Sequence, residues 1–222
     1  MMQTIAFDIY GTLIDTQGIV AKLHAVVGDK ADDFSRTWRD KQLEYCFRKG
    51  LMHKYESFAV CTKQALNYTC EHYKTSLPDE QKNILLSGYN HLSAFKDVRD
   101  NLLKLKANHS LYAFSNGTAD AVQQLLLNAG IGDNFLDIIS VDELETFKPN
   151  PEVYHYLATR TNTPASDVWL VSSNPFDVIG AISAGLKAVW VQRSKEVTFD
   201  PWDISPTITV NNLFELEEFF AK

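Results

Sequence analysis

Four side chains in this sequence stand where a reacting group could meet them: Asp8, Ser115, Lys148 and Asp177. The apolar run Thr4-Ile5-Ala6-Phe7 reads as a buried strand, ending in Asp8 and then a turn at Gly11. Open α/β sheets bind ligands beyond the carboxyl ends of their strands, so a carboxylate placed there faces a substrate. Taken alone, Asp8 is as readily a cap for the turn that follows it.

The other three stand at similar joints. Phe114-Ser115-Asn116-Gly117-Thr118 follows a strand and opens a helix, whose free N–H groups and dipole favour an anion. A capping role explains Ser115 equally well. Val171-Ser172-Ser173-Asn174-Pro175-Phe176-Asp177 also follows a strand and brings hydroxyls, an amide and a second carboxylate to its end. Between them, Asn150 can be an N-cap with Pro151 as the first helical residue. Lys148 then lies just before a helix N-terminus, where the dipole disfavours a cation. A carboxylate partner explains a lysine in that place.

The elements that must position these groups alternate. Helices are expected near 95–105, 119–129, 152–161, 177–184 and 213–220, and strands at 110–114, 136–139, 168–171 and 188–191. Repeated strand-helix alternation implies a parallel sheet covered on both faces. From about Gly18 to Leu92 the pattern is helical only, with helices expected over 19–48, 55–73 and 79–89. The segment Trp38-Arg39-Asp40-Lys41-Gln42-Leu43-Glu44-Tyr45 is by itself an ordinary helix with solvated charges.

The 222 residues favour one core with a sizeable insert. A hydrophobic share of 45% and a charged share of 22% are ordinary for a globular protein, without a disorder signal. No segment reaches membrane-spanning length and the first residues lack signal-peptide character, so a cytoplasmic protein is expected. Cys46, Cys61 and Cys70 form no metal-type spacing and read as buried thiols. The net charge of −7 argues against a nucleic-acid partner. An anionic substrate would need positive charge concentrated locally.

Asp8, Ser115, Lys148 and Asp177, in this order at strand ends, resemble the four motifs of the haloacid dehalogenase superfamily. The likeness spans the chain and implies an α/β fold: a Rossmann-like parallel-sheet core (1–15 and 94–222) with an inserted helical cap domain (16–93). Phosphatases of that superfamily carry a second Asp two residues after the nucleophile and an acidic magnesium ligand in the last motif. Here those positions hold Tyr10 and Ser173. Losing a carboxylate weakens a site for a hard cation. The same departures, the Arg39 segment and Lys148-Pro149-Asn150-Pro151 with Tyr154 look like the L-2-haloacid dehalogenases, which need no metal or cofactor. Asp40, where Gln is usual, and Phe176, where Trp also occurs, depart from that pattern. They bear on pocket charge and substrate range.

The resemblance implies a small 2-haloalkanoate substrate, a halide product and a homodimer. Substrate and nucleophile are both anions and repel at close range. Ser115, the helix start and Lys148 would hold the substrate carboxylate; Arg39 from the cap, with Asn116 and the edge of Phe176, would take the halide. Asp8 would form an ester with inversion. Asp177, near Lys148, Ser172 and Asn174, would direct water at that ester, with Thr12 and Ser172 bracing Asp8 and Lys148. Tyr10, Leu43, Phe58 and Phe176 are expected as apolar walls or ordinary core, and Tyr154 as a partner of Lys148 or core. The rivals are a phosphatase of the same fold and a non-catalytic binding protein.

Overall fold

The structure, a computed structural model, describes residues 2–221. Six strands form one parallel sheet: β1 (Thr4–Phe7), β2 (Ser110–Ser115), β3 (Asp137–Ser140), β4 (Val168–Ser172), β5 (Lys187–Val191) and β6 (Ile208–Val210). Their spatial order is β3-β2-β1-β4-β5-β6. The order reverses between β1 and β4, and a crevice opens at such a point beyond the carboxyl ends of the two strands. β1 ends one residue before Asp8, and β4 ends at Ser172. Both chemical motifs therefore meet at the switch point.

Alternation along each strand builds two apolar layers. Ile5, Phe7, Leu111, Ala113, Trp169 and Val171 bury toward one face, and Ala6, Phe114, Val168 and Leu170 toward the other. Helices α5 (Val98–Lys106), α6 (Ala119–Asn128), α7 (Pro151–Arg160), α8 (Pro175–Ser183) and α9 (Leu213–Phe220) flank the sheet. This is the α/β architecture expected.

Between β1 and α5 lie the helices α1 (Val20–Val27), α2 (Ala31–Leu51), α3 (Phe58–His72) and α4 (Asp79–Gly88), with isolated β-bridges of Ile14 to Tyr10 and Ala94 at the joints. The single helix expected over 19–48 is two. Gly28 adopts φ +62°, a left-handed conformation open to glycine, and ends α1. The second departure is β6, whose three residues are too few for a periodic pattern to register. Trp38 and Gln42 on α2 are buried and reach Thr62 on α3: Trp38 Nε1 donates to its carbonyl at 2.9 Å, and Gln42 Nε2 to its hydroxyl at 2.5 Å. The outgoing and returning chains pair where the insert joins the core: Asp15 N donates to Ser93 O (2.9 Å) and Phe95 N to Leu13 O (3.0 Å).

Candidate active site

The site grows from a tight turn. After β1, Asp8 N donates to Val171 O at 2.9 Å, tying the carboxylate to the neighbouring strand. Gly11 has φ +84°, which lets the chain fold back so that Leu13 and Ile14 N–H both donate to Ile9 O at 3.0 Å. Thr12 is thereby placed beneath Asp8, and its Oγ1 donates to Asp8 Oδ2 at 2.7 Å. Asn174 Nδ2 donates to the same oxygen at 2.8 Å.

The other Asp8 oxygen belongs to Lys148. Its Nζ lies 3.1 Å from Asp8 Oδ1, 2.9 Å from Asp177 Oδ2 and 2.9 Å from Phe114 O. Lys148 is 1% exposed and Asp177 not at all, so these charges are compensated by each other rather than by water. Burial alone would lower the lysine pKa, but Asp177 and Asp8 outweigh it and hold the ammonium above the usual lysine range. Burial raises the Asp177 carboxyl, opposed by Lys148. Tyr154, fully buried on α7, donates its hydroxyl to Asp177 Oδ1 at 2.8 Å. The carboxylate partner expected for Lys148 is present, twice over.

Three expected placements differ. The Asn174 side chain binds Asp8 rather than the Asp177 carboxylate, because Asn174 stands at the N-cap of α8 and meets Asp177 through its backbone carbonyl, which accepts the Asp177 N–H at 3.0 Å. Ser172 Oγ accepts the Asn174 N–H at 3.1 Å and shapes that turn; Lys148 is braced by the two carboxylates and the Phe114 carbonyl. Tyr154 addresses Asp177 rather than Lys148.

Ser115 and Asn116 stand at the end of β2, just before α6. Ser115 Oγ accepts the Gly117 N–H (3.1 Å), and Asn116 Oδ1 accepts the Lys148 N–H (3.0 Å), joining two motifs through the backbone. Residues 115–117 and the first turn of α6 form the anion-favouring helix start.

On α2, Arg39, Leu43 and Phe47 are spaced by four and share one face. Phe47 meets Phe176 edge-on at 5.1 Å between centroids, which closes the insert onto the start of α8. Arg39 Nη1 donates to Gln42 Oε1 at 2.6 Å, so the buried Gln42–Thr62 pair holds the guanidinium in place. Tyr10 packs against Phe58 (5.4 Å) and Tyr89 (6.5 Å). Burial pushes both tyrosine hydroxyls up to about 12, against the opposing charge of Arg39. A cleft of about 400 Å³ runs outward from Tyr10 and Gly117 between Phe58, Leu86, Tyr89 and Ala121. Asp40 and Arg39 together line a second, polar pocket with Thr16, Ser35 and Tyr89.

Phe47 and Tyr89 are missed by the sequence reading, which names Ser173 only as the residue in place of an acidic one. Phe47 was within reach of it, two helical turns beyond Arg39 on the same face. Ser173 Oγ donates to Gly11 O at 2.7 Å and its N–H donates to Thr12 Oγ1 at 2.8 Å, so it stitches the turn after Asp8 to the end of β4.

The profile of haloacid dehalogenase-like hydrolases matches residues 2–185. The chain belongs to this hydrolase family. Within it, the chain is 36% identical to an (S)-2-haloacid dehalogenase of Pseudomonas putida over 221 residues, covering 99% of this chain and 97% of the relative. An L-2-haloacid dehalogenase from Xanthobacter autotrophicus superposes with TM-score 0.92 at 29% identity, covering 100% of this chain and 99% of that one. Its form with chloropropionic acid covalently bound superposes with TM-score 0.91 at 29% identity, with the same coverage. In this haloacid dehalogenase-like hydrolase, the arrangement brings together a carboxylate with separately held oxygens, a buried cation and a second carboxylate.

Proposed function

We propose that this chain is a hydrolytic dehalogenase that converts small L-2-haloalkanoates to D-2-hydroxyalkanoates and halide. The observation that carries the reading is Asp8 itself, one oxygen on Lys148 and the other on Thr12 and Asn174. The likeness to (S)-2-haloacid dehalogenases supports the substrate class.

The first step asks Asp8 to displace halide from C2 from the rear, forming an ester and inverting the carbon. Ser115, Lys148 and the start of α6 hold the substrate carboxylate in line for attack. Arg39 receives the departing halide, binding the ion better than the carbon-bound halogen, so it favours the transition state. Asn116 and the Phe176 edge complete that end, and Tyr10, Leu43 and Phe58 keep water from it. In the second step Asp177 takes a proton from water as the oxygen attacks the Asp8 carbonyl carbon. Its raised pKa makes it a better base than an exposed Asp. The donors already on Asp8 then steady the oxyanion; the tetrahedral adduct collapses, the expelled 2-hydroxyacid oxygen takes the proton held by Asp177, and Asp8 returns to a carboxylate as the second proton of the water is released to solvent.

The polar groups fit a metal-independent reaction. The Ser173 hydroxyl is engaged by Gly11, Tyr10 carries a neutral phenol, and Asp177 is held by Lys148 and Tyr154. Residues 1–15 and 94–222 serve as the catalytic core and 16–93 as its cap. Three free, buried cysteines suit the reducing cytoplasm, and exposed Leu51 and Met52 on and after the end of α2 offer an apolar start for a homodimer contact. No helix among the described residues is long and apolar enough to cross a membrane.

The test is chloride release from the separate enantiomers of 2-chloropropionate by chelator-treated protein. Chloride from the L form alone, with D-lactate as product, is expected. Phosphate release from a phosphoester only on adding magnesium, with no chloride, would replace this reading by the phosphatase one.

A further inference from the structure

Arg193 lies two residues beyond β5, and none of the expected chemistry uses it. Its side chain is 13% exposed. Nε and Nη2 both donate to the Thr12 carbonyl, at 3.1 and 2.7 Å. Nη1 donates to Asp97 Oδ2 at 2.7 Å, and that oxygen also accepts the Leu213 N–H at 2.7 Å. The guanidinium lies over the Phe95 ring, 4.2 Å from its centroid.

One planar fork thus touches both joints between core and insert. Thr12 belongs to the outgoing turn, while Phe95 and Asp97 belong to the returning chain. Phe95 N–H donates to Leu13 O at 3.0 Å, so the two joints are also paired with each other. A carbonyl in a tight turn needs a buried donor, and Thr12 has two, both charged. Buried ion pairs add little net stability, and their best-attested use is to fix register. Here the register being fixed is that of Thr12, whose hydroxyl donates to Asp8 Oδ2 at 2.7 Å.

We propose that Arg193 is a positioning residue for the nucleophile: its fork on the Thr12 carbonyl, anchored by Asp97, holds the Thr12 hydroxyl on Asp8. The catalytic part of this rests on the dehalogenase reading. Lysine cannot replace the arginine fully, because a point charge cannot span Thr12 and Asp97 with fixed geometry.

The experiment is a double-mutant cycle of Arg193→Gln with Thr12→Val, read in two ways. The first is kcat and KM for L-2-chloropropionate. Arg193→Gln is expected to lower kcat about tenfold with KM within about twofold, while Arg193→Lys falls between it and wild type. In the Thr12→Val background Arg193→Gln should cost nothing more. The second reading is the carboxyl carbon resonance of Asp8 in protein labelled at aspartate, identified by its absence from Asp8→Asn. Arg193→Gln should move it in the same direction as Thr12→Val, and should not move it further once Thr12 is valine.

Multiplying kcat losses, an unmoved resonance or a wild-type kcat in Arg193→Gln would each overturn the proposal. Should Arg193→Gln fail to fold, Arg193→Lys carries the same cycle. A wild-type protein that releases no chloride would defeat the dehalogenase reading, and the resting-state resonance would still decide whether Arg193 positions Asp8.

Discussion

Lys148 Nζ stands 2.9 Å from Asp177 Oδ2, with both side chains buried. The same ammonium reaches Asp8 at 3.1 Å, so one cation serves the nucleophile and the base of the proposed cycle. Removing it would leave two carboxylates in a space that water does not solvate. Lys148→Met, which keeps most of the volume, is expected to destabilise the fold by about 3–5 kcal/mol near neutral pH. The Asp177 carboxyl, raised by burial and no longer opposed by Lys148, would then have a folded pKa further above its unfolded one. Stability gained by protonating such groups is full below the unfolded pKa and lost as pH rises through the folded one. Denaturant unfolding should therefore find the variant recovering stability relative to wild type as pH falls; a deficit independent of pH would contradict this.

The wild-type protein titrates at the other end. Lys148 is held above its ordinary value of 10.5, so its contribution to stability is present below that value and is lost as pH rises through the higher folded one. Denaturant midpoints in the alkaline range should fall more steeply for wild type than for Lys148→Met.

Tyr154 gives a milder perturbation. Its hydroxyl bond to Asp177 Oδ1 favours the ionised carboxyl, against the burial that raises it. Asp177 must be ionised to accept a proton, so kcat should fall with acidity at a pH above the ordinary Asp value of 3.8. Tyr154→Phe removes that bond, is expected to cost about 1 kcal/mol, and should move the acid limb to higher pH. An unmoved limb would mean that another group governs it.

Gly180 explains how Tyr154 fits. A Cβ there would lie 2.5 Å from the Tyr154 hydroxyl oxygen and 2.7 Å from Pro149 Cβ. Gly180→Ala is expected to displace the phenol, cost about 1–3 kcal/mol of stability and lower kcat as Tyr154→Phe does. Unchanged kcat in a folded Gly180→Ala protein would contradict it.

Much of the fold was legible because strand-helix alternation and apolar runs such as Val168–Val171 are local signals. The break at Gly28 and the three-residue β6 were not, since a turn within a helical pattern and a short edge strand carry little periodicity. Of the candidate site, Asp8, Ser115, Lys148 and Asp177 could be read from their strand-end positions. Which atom each partner takes could not. Asn174 on Asp8 and Tyr154 on Asp177 depend on how β1, β4, α7 and α8 meet. Arg193 is less visible still, because its partner Thr12 lies 181 residues away and the contact is with a backbone carbonyl.

Arg39 is the remaining group whose role is separable from folding, being half-buried on the insert with its guanidinium held by Gln42. Arg39→Ala is expected to lower kcat for L-2-chloropropionate by about 100-fold or more, as loss of a transition-state anion donor does, with little change in thermal midpoint. Full activity would remove it from the scheme.

The most direct test of the central claim is where water oxygen goes. In a single turnover in water enriched with oxygen-18, with enzyme in excess over L-2-chloropropionate, the account predicts unlabelled D-lactate and heavy oxygen in the peptide that contains Asp8. Labelled lactate with an unlabelled Asp8 would mean that water attacks the substrate carbon directly and that Asp8 is not the nucleophile.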